Sequence, residues 1–235
     1  VKTSMGEVFG CSAVVVATGV YLNSRIIIGD FTKKTGPNGF EASTMLTQSL
    51  MDLGIEIRRF KTGTPARVDG KSIDYSKFEI QPGEELSGGF SHITKTPKNK
   101  RVCYLGYTST AMHDCIRENI SRAPLYSGTI KGIGPRYCPS IEDKIMRFAD
   151  KERHQLFLEP ESAQTDEIYV QGISSSMPAD IQRKMYHLIP GFEQVKIMRF
   201  AYAIEYDCIN ATELKNNLKK KKINGLFFAG QINGT

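Results

Sequence analysis

The sequence predicts an α/β fold: a split, Rossmann-like outer domain interrupted by a smaller inserted α/β domain. Three observations carry this. The short β-branched run Ala13-Val14-Val15-Val16-Ala17, ended by Gly19, reads as a buried strand. A second apolar run, Leu226-Phe227-Phe228-Ala229, opens at once into a glycine turn at Gly230. Between them the character of the chain changes near residue 65 and returns to sheet near residue 195. Strands there alternate with helices, which implies an α/β sheet. The outer domain is accordingly assigned residues 1–64 and 196–235, and the insertion residues 65–195.

The elements follow in order. Leu46, Leu50 and Leu53 form a helical stripe stopped by Gly54, a residue suited to a helix C-terminus. Ile55 and Ile57 alternate with charges in a strand that runs to Phe60. Residues 82–101 are polar and rich in Gly, Ser, Thr and Lys, the composition of an exposed loop or long hairpin. Residues 102–107 read as a strand. Met112, Ile116 and Ile120 predict a helix capped by Thr110. Residues 156–158 and 168–170 read as strands, and 178–189 as a helix with Ile181, Met185 and Leu188 inward. Residues 196–206 read as extended. Asn210 and Glu213 form a capping pair for a short helix ending in Lys219-Lys220-Lys221-Lys222. No internal repeat is visible.

Composition narrows the class. With 40% hydrophobic residues in 235, the chain can bury a sizeable core. Its net charge of +6 suits an anionic partner such as a nucleotide or RNA, and equally a lysine-rich surface. Five cysteines, widely spaced and with no C-x-x-C, argue against a zinc site or disulfide framework and for a reducing compartment. His92, His113, His154 and His187 show no metal spacing and read as surface or helix residues. The longest apolar runs are too short to span a bilayer, and no signal peptide is visible. The chain opens on Val1 and stops in a glycine-rich turn at Thr235, so it reads as an internal piece of a longer protein.

One run concentrates chemistry: Gly134-Pro135-Arg136-Tyr137-Cys138-Pro139-Ser140-Ile141-Glu142-Asp143-Lys144, continued by Ile145, Met146, Arg147 and Phe148. Ser140 and Asp143 predict a capped helix start, with Ile141, Ile145 and Phe148 at helical spacing. Cys138 would then sit before a helix N-terminus and two residues from Arg136. Both effects favour thiolate, and the same N-terminus suits an anion. A proline-bounded turn with an inert, buried cysteine fits these residues as well. Glu205 and Asp207, two apart on one strand, share a face. They read either as a proton-transfer or positioning pair or as a solvated strand face.

These motifs, taken with Ala17-Thr18-Gly19, Lys61-Thr62-Gly63-Thr64-Pro65, Phe157-Leu158-Glu159-Pro160-Glu161, Tyr202-Ala203-Ile204-Glu205-Tyr206-Asp207 and Gly230-Gln231-Ile232-Asn233-Gly234-Thr235, resemble the GidA/MnmG family of FAD-dependent tRNA uridine-modifying enzymes. The resemblance covers nearly the whole chain and is weakest over residues 74–100. It implies that Gly19, Ser43, Gly230 and Gln231 meet FAD, and that residues 134–148 bind NAD(P)H. It further implies that Cys138 attacks the uracil ring, and it raises Glu205 and Asp207 as catalytic candidates. Methylenetetrahydrofolate as one-carbon donor, tRNA, an MnmE/TrmE-type GTPase partner, a homodimer and a cytoplasmic setting are implied in the same way. Where the family shows Pro-Gly this chain has Phe200-Ala201, and Val20 replaces a frequent threonine. A G-x-G-x-x-G phosphate loop is expected upstream of Val1, so the isolated chain is expected to hold FAD poorly. A plain NAD(P)H-flavin oxidoreductase, a tRNA- or partner-binding module and, ranked lower, a folate-dependent tRNA methyltransferase remain the alternatives.

Overall fold

The structure, a computed structural model, describes residues 1–84, 88–94, 96–135 and 138–234. Its elements in chain order are β1 (Val14–Val16), β2 (Arg25–Ile28), β3 (Phe31–Lys34), α1 (Leu46–Asp52), β4 (Ile57–Thr64), β5 (Arg67–Asp69), β6 (Glu79–Gln81), β7 (Cys103–Tyr107), α2 (Thr110–Glu118), α3 (Ile141–Arg147), β8 (Gln155–Pro160), β9 (Glu167–Gln171), α4 (Ala179–His187), β10 (Ile197–Arg199), β11 (Tyr202–Ile209) and β12 (Leu226–Phe228). Among the described residues they form three sheets. β1 and β12 pair in parallel, with Val14 opposite Leu226 and Val16 opposite Phe228. A four-stranded sheet runs β3-β2-β11-β4, and a six-stranded sheet runs β10-β5-β9-β8-β7-β6. The pairings of both are antiparallel. The α/β class expected from sequence therefore holds.

Two apolar cores fix these layers. Leu156, Leu158 and Val170 of the six-stranded sheet pack with Met112 and Ile116 of α2, Ile141 and Ile145 of α3, and Met185 of α4. Val16, Phe228, Leu50 and Ile55 join α1 to the parallel pair. Each such side chain stabilises the fold by roughly 1.5–3 kcal/mol through burial.

Several local expectations need correction. Val15 is 63% exposed, because alternation turns it away from the core that Val16 enters. Ser109, not Thr110, caps α2: its Oγ accepts from the Met112 N–H at 3.1 Å. Leu53 and Leu188 take the C-terminal cap positions of α1 and α4 and face solvent. The short helix expected after Asn210 is reduced to one 3₁₀ turn, Ala211–Glu213. Glu213 instead pairs with Lys220 at 2.8 Å, and Lys220 is buried, so the four lysines do not end a helix. His113 lies on a helix but is buried. Its Nε2 meets Thr108 Oγ1 at 2.7 Å, and its ring centre lies 5.3 Å from that of His154.

Candidate functional site

The parallel pair builds the first half of the site. β1 runs into Thr18-Gly19 and β12 into Ala229-Gly230. The Ala229 N–H donates to the Val16 carbonyl at 3.0 Å, so both turns leave neighbouring strands at the same carboxyl end. Ligands of open α/β sheets bind at that end. Gly19 (φ +55°) and Gly230 (φ +76°) adopt the left-handed conformation that glycine supplies without strain. A Cβ at Gly230 would meet nothing within 4 Å, so the space beside its Cα is open. Next to Gly19 in the chain, the buried Thr18 hydroxyl has no hydrogen-bond partner among the described residues. Ser43 is tied to the same exit: its N–H donates to Tyr21 O at 2.9 Å, and its carbonyl accepts from the Asn23 N–H at 2.7 Å.

Gln231 follows Gly230, and its Oε1 accepts the Tyr206 hydroxyl at 2.7 Å. That bond commits the amide oxygen and leaves the amide nitrogen, a donor, as the end suited to a ligand oxygen. Phe60 meets the Tyr206 ring edge-on at 6.3 Å. Burial pushes the Tyr206 phenol up to about 12, so it stays a donor at neutral pH. Sequence reasoning passed over Tyr206. Its only signal was an aromatic residue set between two carboxylates on an alternating strand.

The Cys138 segment reaches this point along the edge of β4. The Lys61 N–H donates to Ile133 O at 3.0 Å, and the Ile133 N–H donates to Arg59 O at 3.2 Å. Gly132 lies flush on that strand: a Cβ there would sit 2.9 Å from the Phe60 carbonyl atoms. Gly134 follows beside the Lys61 carbonyl. The Cys138 N–H then closes a turn onto Pro135 O at 3.2 Å. Cys138 is half-buried and close enough to Tyr206 and Lys144 to influence the titration of both. Arg136 and Tyr137 lie outside the described residues.

α3 divides the rest of the run. Ile141 and Ile145 are core residues, and Glu142 turns inward, where its Oε1 accepts from the Ser176 N–H and hydroxyl at 3.2 Å each. All three side chains are buried. Ser140 occupies the cap position, but its buried hydroxyl makes no cap bond. Asp143 pairs with Arg147 at 2.8 Å instead, so the expected capping box is absent. Pro139, Lys144 and Phe148 line a cavity of about 420 Å³ with His154, Phe157 and Gly172. The Lys144 amine donates to Gly172 O at 2.8 Å, and burial lowers its pKa. Met146 is exposed.

Glu205 and Asp207 share a face of β11, as expected, but strand alternation puts that face opposite Tyr206 and Gln231. Neither is solvated. Glu205 Oε2 accepts from Arg25 Nε, and its Oε1 accepts from the Lys131 and Gly132 N–H groups, all at 2.6 Å. Burial alone would raise its pKa. The Gly132 N–H, the Arg25 side chain and the Lys131 N–H together outweigh burial and hold the carboxyl below its ordinary value. Asp207 accepts from Arg59 at 2.6 Å and from the Thr47 hydroxyl at 2.9 Å. The pair forms a buried ionic clasp, in place of the expected solvated face.

Among the described residues, no group of three His, Cys, Asp or Glu is placed to hold a metal ion, and no helix is long and apolar enough to cross a membrane. A family model described as glucose inhibited division protein A matches residues 1–235. The chain is 57% identical over 236 residues to the tRNA uridine 5-carboxymethylaminomethyl modification enzyme MnmG of Caldicellulosiruptor saccharolyticus, covering 100% of this chain and 38% of that protein. The enzyme of the same description from Streptococcus suis is 53% identical over 238 residues, with 37% of its length covered. Among solved structures, Aquifex aeolicus GidA in its form I crystal superposes with a TM-score of 0.90 at 48% identity, covering 100% of this chain and 40% of that one. The chain thus spans well under half the length of these relatives.

Proposed function

Because the chain belongs to the glucose inhibited division protein A family, we propose that the protein carrying it is a flavoenzyme that modifies C5 of the wobble uridine of certain tRNAs. The group added is carboxymethylaminomethyl or aminomethyl. FAD is the bound cofactor, NADH the reductant, methylenetetrahydrofolate the one-carbon donor, and glycine or ammonium the source of the amine. An MnmE/TrmE-type GTPase is the partner, and the working form is a cytoplasmic homodimer. The single observation that supports this best is the meeting of two glycine turns at one end of the parallel pair, with Gln231 held there by Tyr206.

The residues present fit FAD. Gly19 and Gly230 let backbone approach it, the orphaned Thr18 hydroxyl offers a donor, and Gln231 offers its amide nitrogen without adding negative charge. A flavin held there supplies hydride and one-carbon transfer. The accessible residues of the 134–148 run, chiefly Pro139, Lys144 and Phe148, would take NADH in the cavity they line. Cys138 acts on the tRNA. Its thiolate adds to C6 of uracil, the C5–C6 electron pair moves onto C5 and O4, and C5 becomes nucleophilic towards the one-carbon unit. The sulfur leaves when C5 gives up its proton. Glu205 positions this apparatus through Lys131 and Gly132 rather than touching the reacting atoms.

Mass spectrometry of tRNA nucleosides from cells with and without the gene tests the reading. Loss of the 5-carboxymethylaminomethyl-type uridines, restored by the wild-type gene and not by Cys138→Ser, is expected. An unchanged nucleoside profile would sink it and leave a flavin oxidoreductase with a small-molecule acceptor. Full restoration by Cys138→Ser would remove the covalent step alone.

A further inference from the structure

A second cleft lies at the far end of the six-stranded sheet from Cys138. It has a volume of about 630 Å³ and is lined by Lys71, Tyr75, Asn99, Lys100, Arg101 and Tyr104, with Asp166 at its rim. β9 runs from this cleft at Ile168 towards Gly172 beside Lys144, a distance of roughly 13 Å at strand rise. The Tyr75 and Tyr104 rings are half-buried, with centres 4.5 Å apart. Gly70 keeps this floor open: a Cβ there would come within 3.1 Å of the Tyr75 hydroxyl and 2.9 Å of Asp166 O.

The charges favour an anion. Asp166 is already paired with Lys71 at 2.7 Å. Lys100 has no carboxylate partner among the described residues. Arg101 Nη1 donates to the Ser162 and Thr165 carbonyls at 2.6 and 2.8 Å, which orients the guanidinium without neutralising it. Two cations with no salt-bridge partner among the described residues, set beside a tyrosine pair, combine what RNA needs, a phosphate contact and a stacking surface.

Resting on the proposed tRNA substrate, we infer that this cleft holds a nucleotide of the tRNA outside the reacting uridine, with Lys100 and Arg101 on phosphate and Tyr75 and Tyr104 against a base. A repeating polyanion reaches from here to the Cys138 end, so the site serves affinity and placement, not chemistry.

The test is tRNA binding by the complete protein across a salt series, with Lys100→Glu and Tyr104→Leu. Lys100→Glu should weaken binding about tenfold at low salt and reduce the slope of log K against log salt by about 0.7–0.9, the value of one lost phosphate contact. Tyr104→Leu should weaken binding about fivefold with the slope unchanged, as loss of a stack predicts. Unaltered affinity and slope in both variants would overturn the inference while leaving tRNA as substrate. A wild-type protein that does not bind tRNA would overturn it together with the functional reading. NADH titrations of the same proteins should coincide. Weaker NADH binding with unchanged tRNA binding would make the cleft a small-nucleotide site and overturn the RNA assignment.

Discussion

Glu205→Gln separates a structural carboxylate from a catalytic one. The substitution keeps the side chain's size but removes its charge and replaces one acceptor oxygen with a donor. That NH₂ must face either the Arg25 guanidinium or the paired N–H groups of Lys131 and Gly132, and each of these is itself a donor. Breaking a buried ion pair typically costs about 3–5 kcal/mol. The Arg25 side chain is 29% exposed, so water recovers part of that loss, and about 2–4 kcal/mol is the working figure. At about 2 kcal/mol per molar urea, the midpoint of the unfolding transition that contains β11 should fall by about 1–2 M. The effect depends on pH in one direction. Glu205 titrates below its ordinary 4.5 in the folded state, so the unfolded chain takes up this proton first as the medium is acidified. Its stabilisation is complete above 4.5 and is lost as pH falls through the lower folded value. Glutamine does not titrate, so the gap between wild type and variant should narrow below 4.5. A variant with the wild-type urea midpoint and no uridine modification would refute the clasp and return Glu205 to a proton-transfer role.

Three further outcomes follow from the geometry. Tyr206→Phe frees the Gln231 amide, and loss of one neutral hydrogen bond, about 1 kcal/mol, should weaken FAD retention about fivefold in fluorescence titrations; an unchanged affinity would show that Gln231 needs no orientation. Gly132→Ala places a Cβ 2.9 Å from the Phe60 carbonyl atoms, so the segment must lift off β4; nucleoside analysis should show modification reduced at least tenfold with FAD retained, and normal modification would contradict the proposed delivery of Cys138. His113, lowered by burial from 6.5 to about 4, should cost the protein stability as pH falls from 6.5 towards 4, by up to about 1.4 kcal/mol per pH unit, because the unfolded chain protonates first. Removing the group in His113→Gln should flatten that part of the stability profile, and an equally steep profile would assign the effect elsewhere.

What the sequence showed clearly was local. The valine run of β1, the Leu46 and Leu50 stripe of α1 and the Ile181 and Met185 stripe of α4 each carry their period within one element, and each forms where it was expected. Ser140 and the four lysines misled for the same reason in reverse. Ser140 was judged on its neighbours in sequence, yet Asp143 found Arg147 and the serine hydroxyl was left buried. Lys220 read as one of four lysines ending a helix until Glu213, seven residues earlier, folded back onto it. Glu205 needed Arg25, 180 residues away, and the backbone of Lys131 and Gly132 before its burial had a reason. Pairings of that range leave no periodicity to read.

β11 shows how one strand can serve two tasks without mixing them. Its alternation sends Tyr206 to Gln231 on one face and Glu205 and Asp207 to Arg25 and Arg59 on the other. Negative charge is thereby kept off the face where a phosphate-bearing cofactor and an RNA base would sit. The clasp still acts on that face, because Glu205 grips Lys131 and Gly132 just before the chain crosses the edge of β4 and descends to Cys138. The carboxylate holds the backbone, and that backbone leads on to the thiol of Cys138. Glutamate at 205 is therefore tied to the position of Cys138, and acid/base chemistry is not required to explain why a fully buried carboxylate stands there.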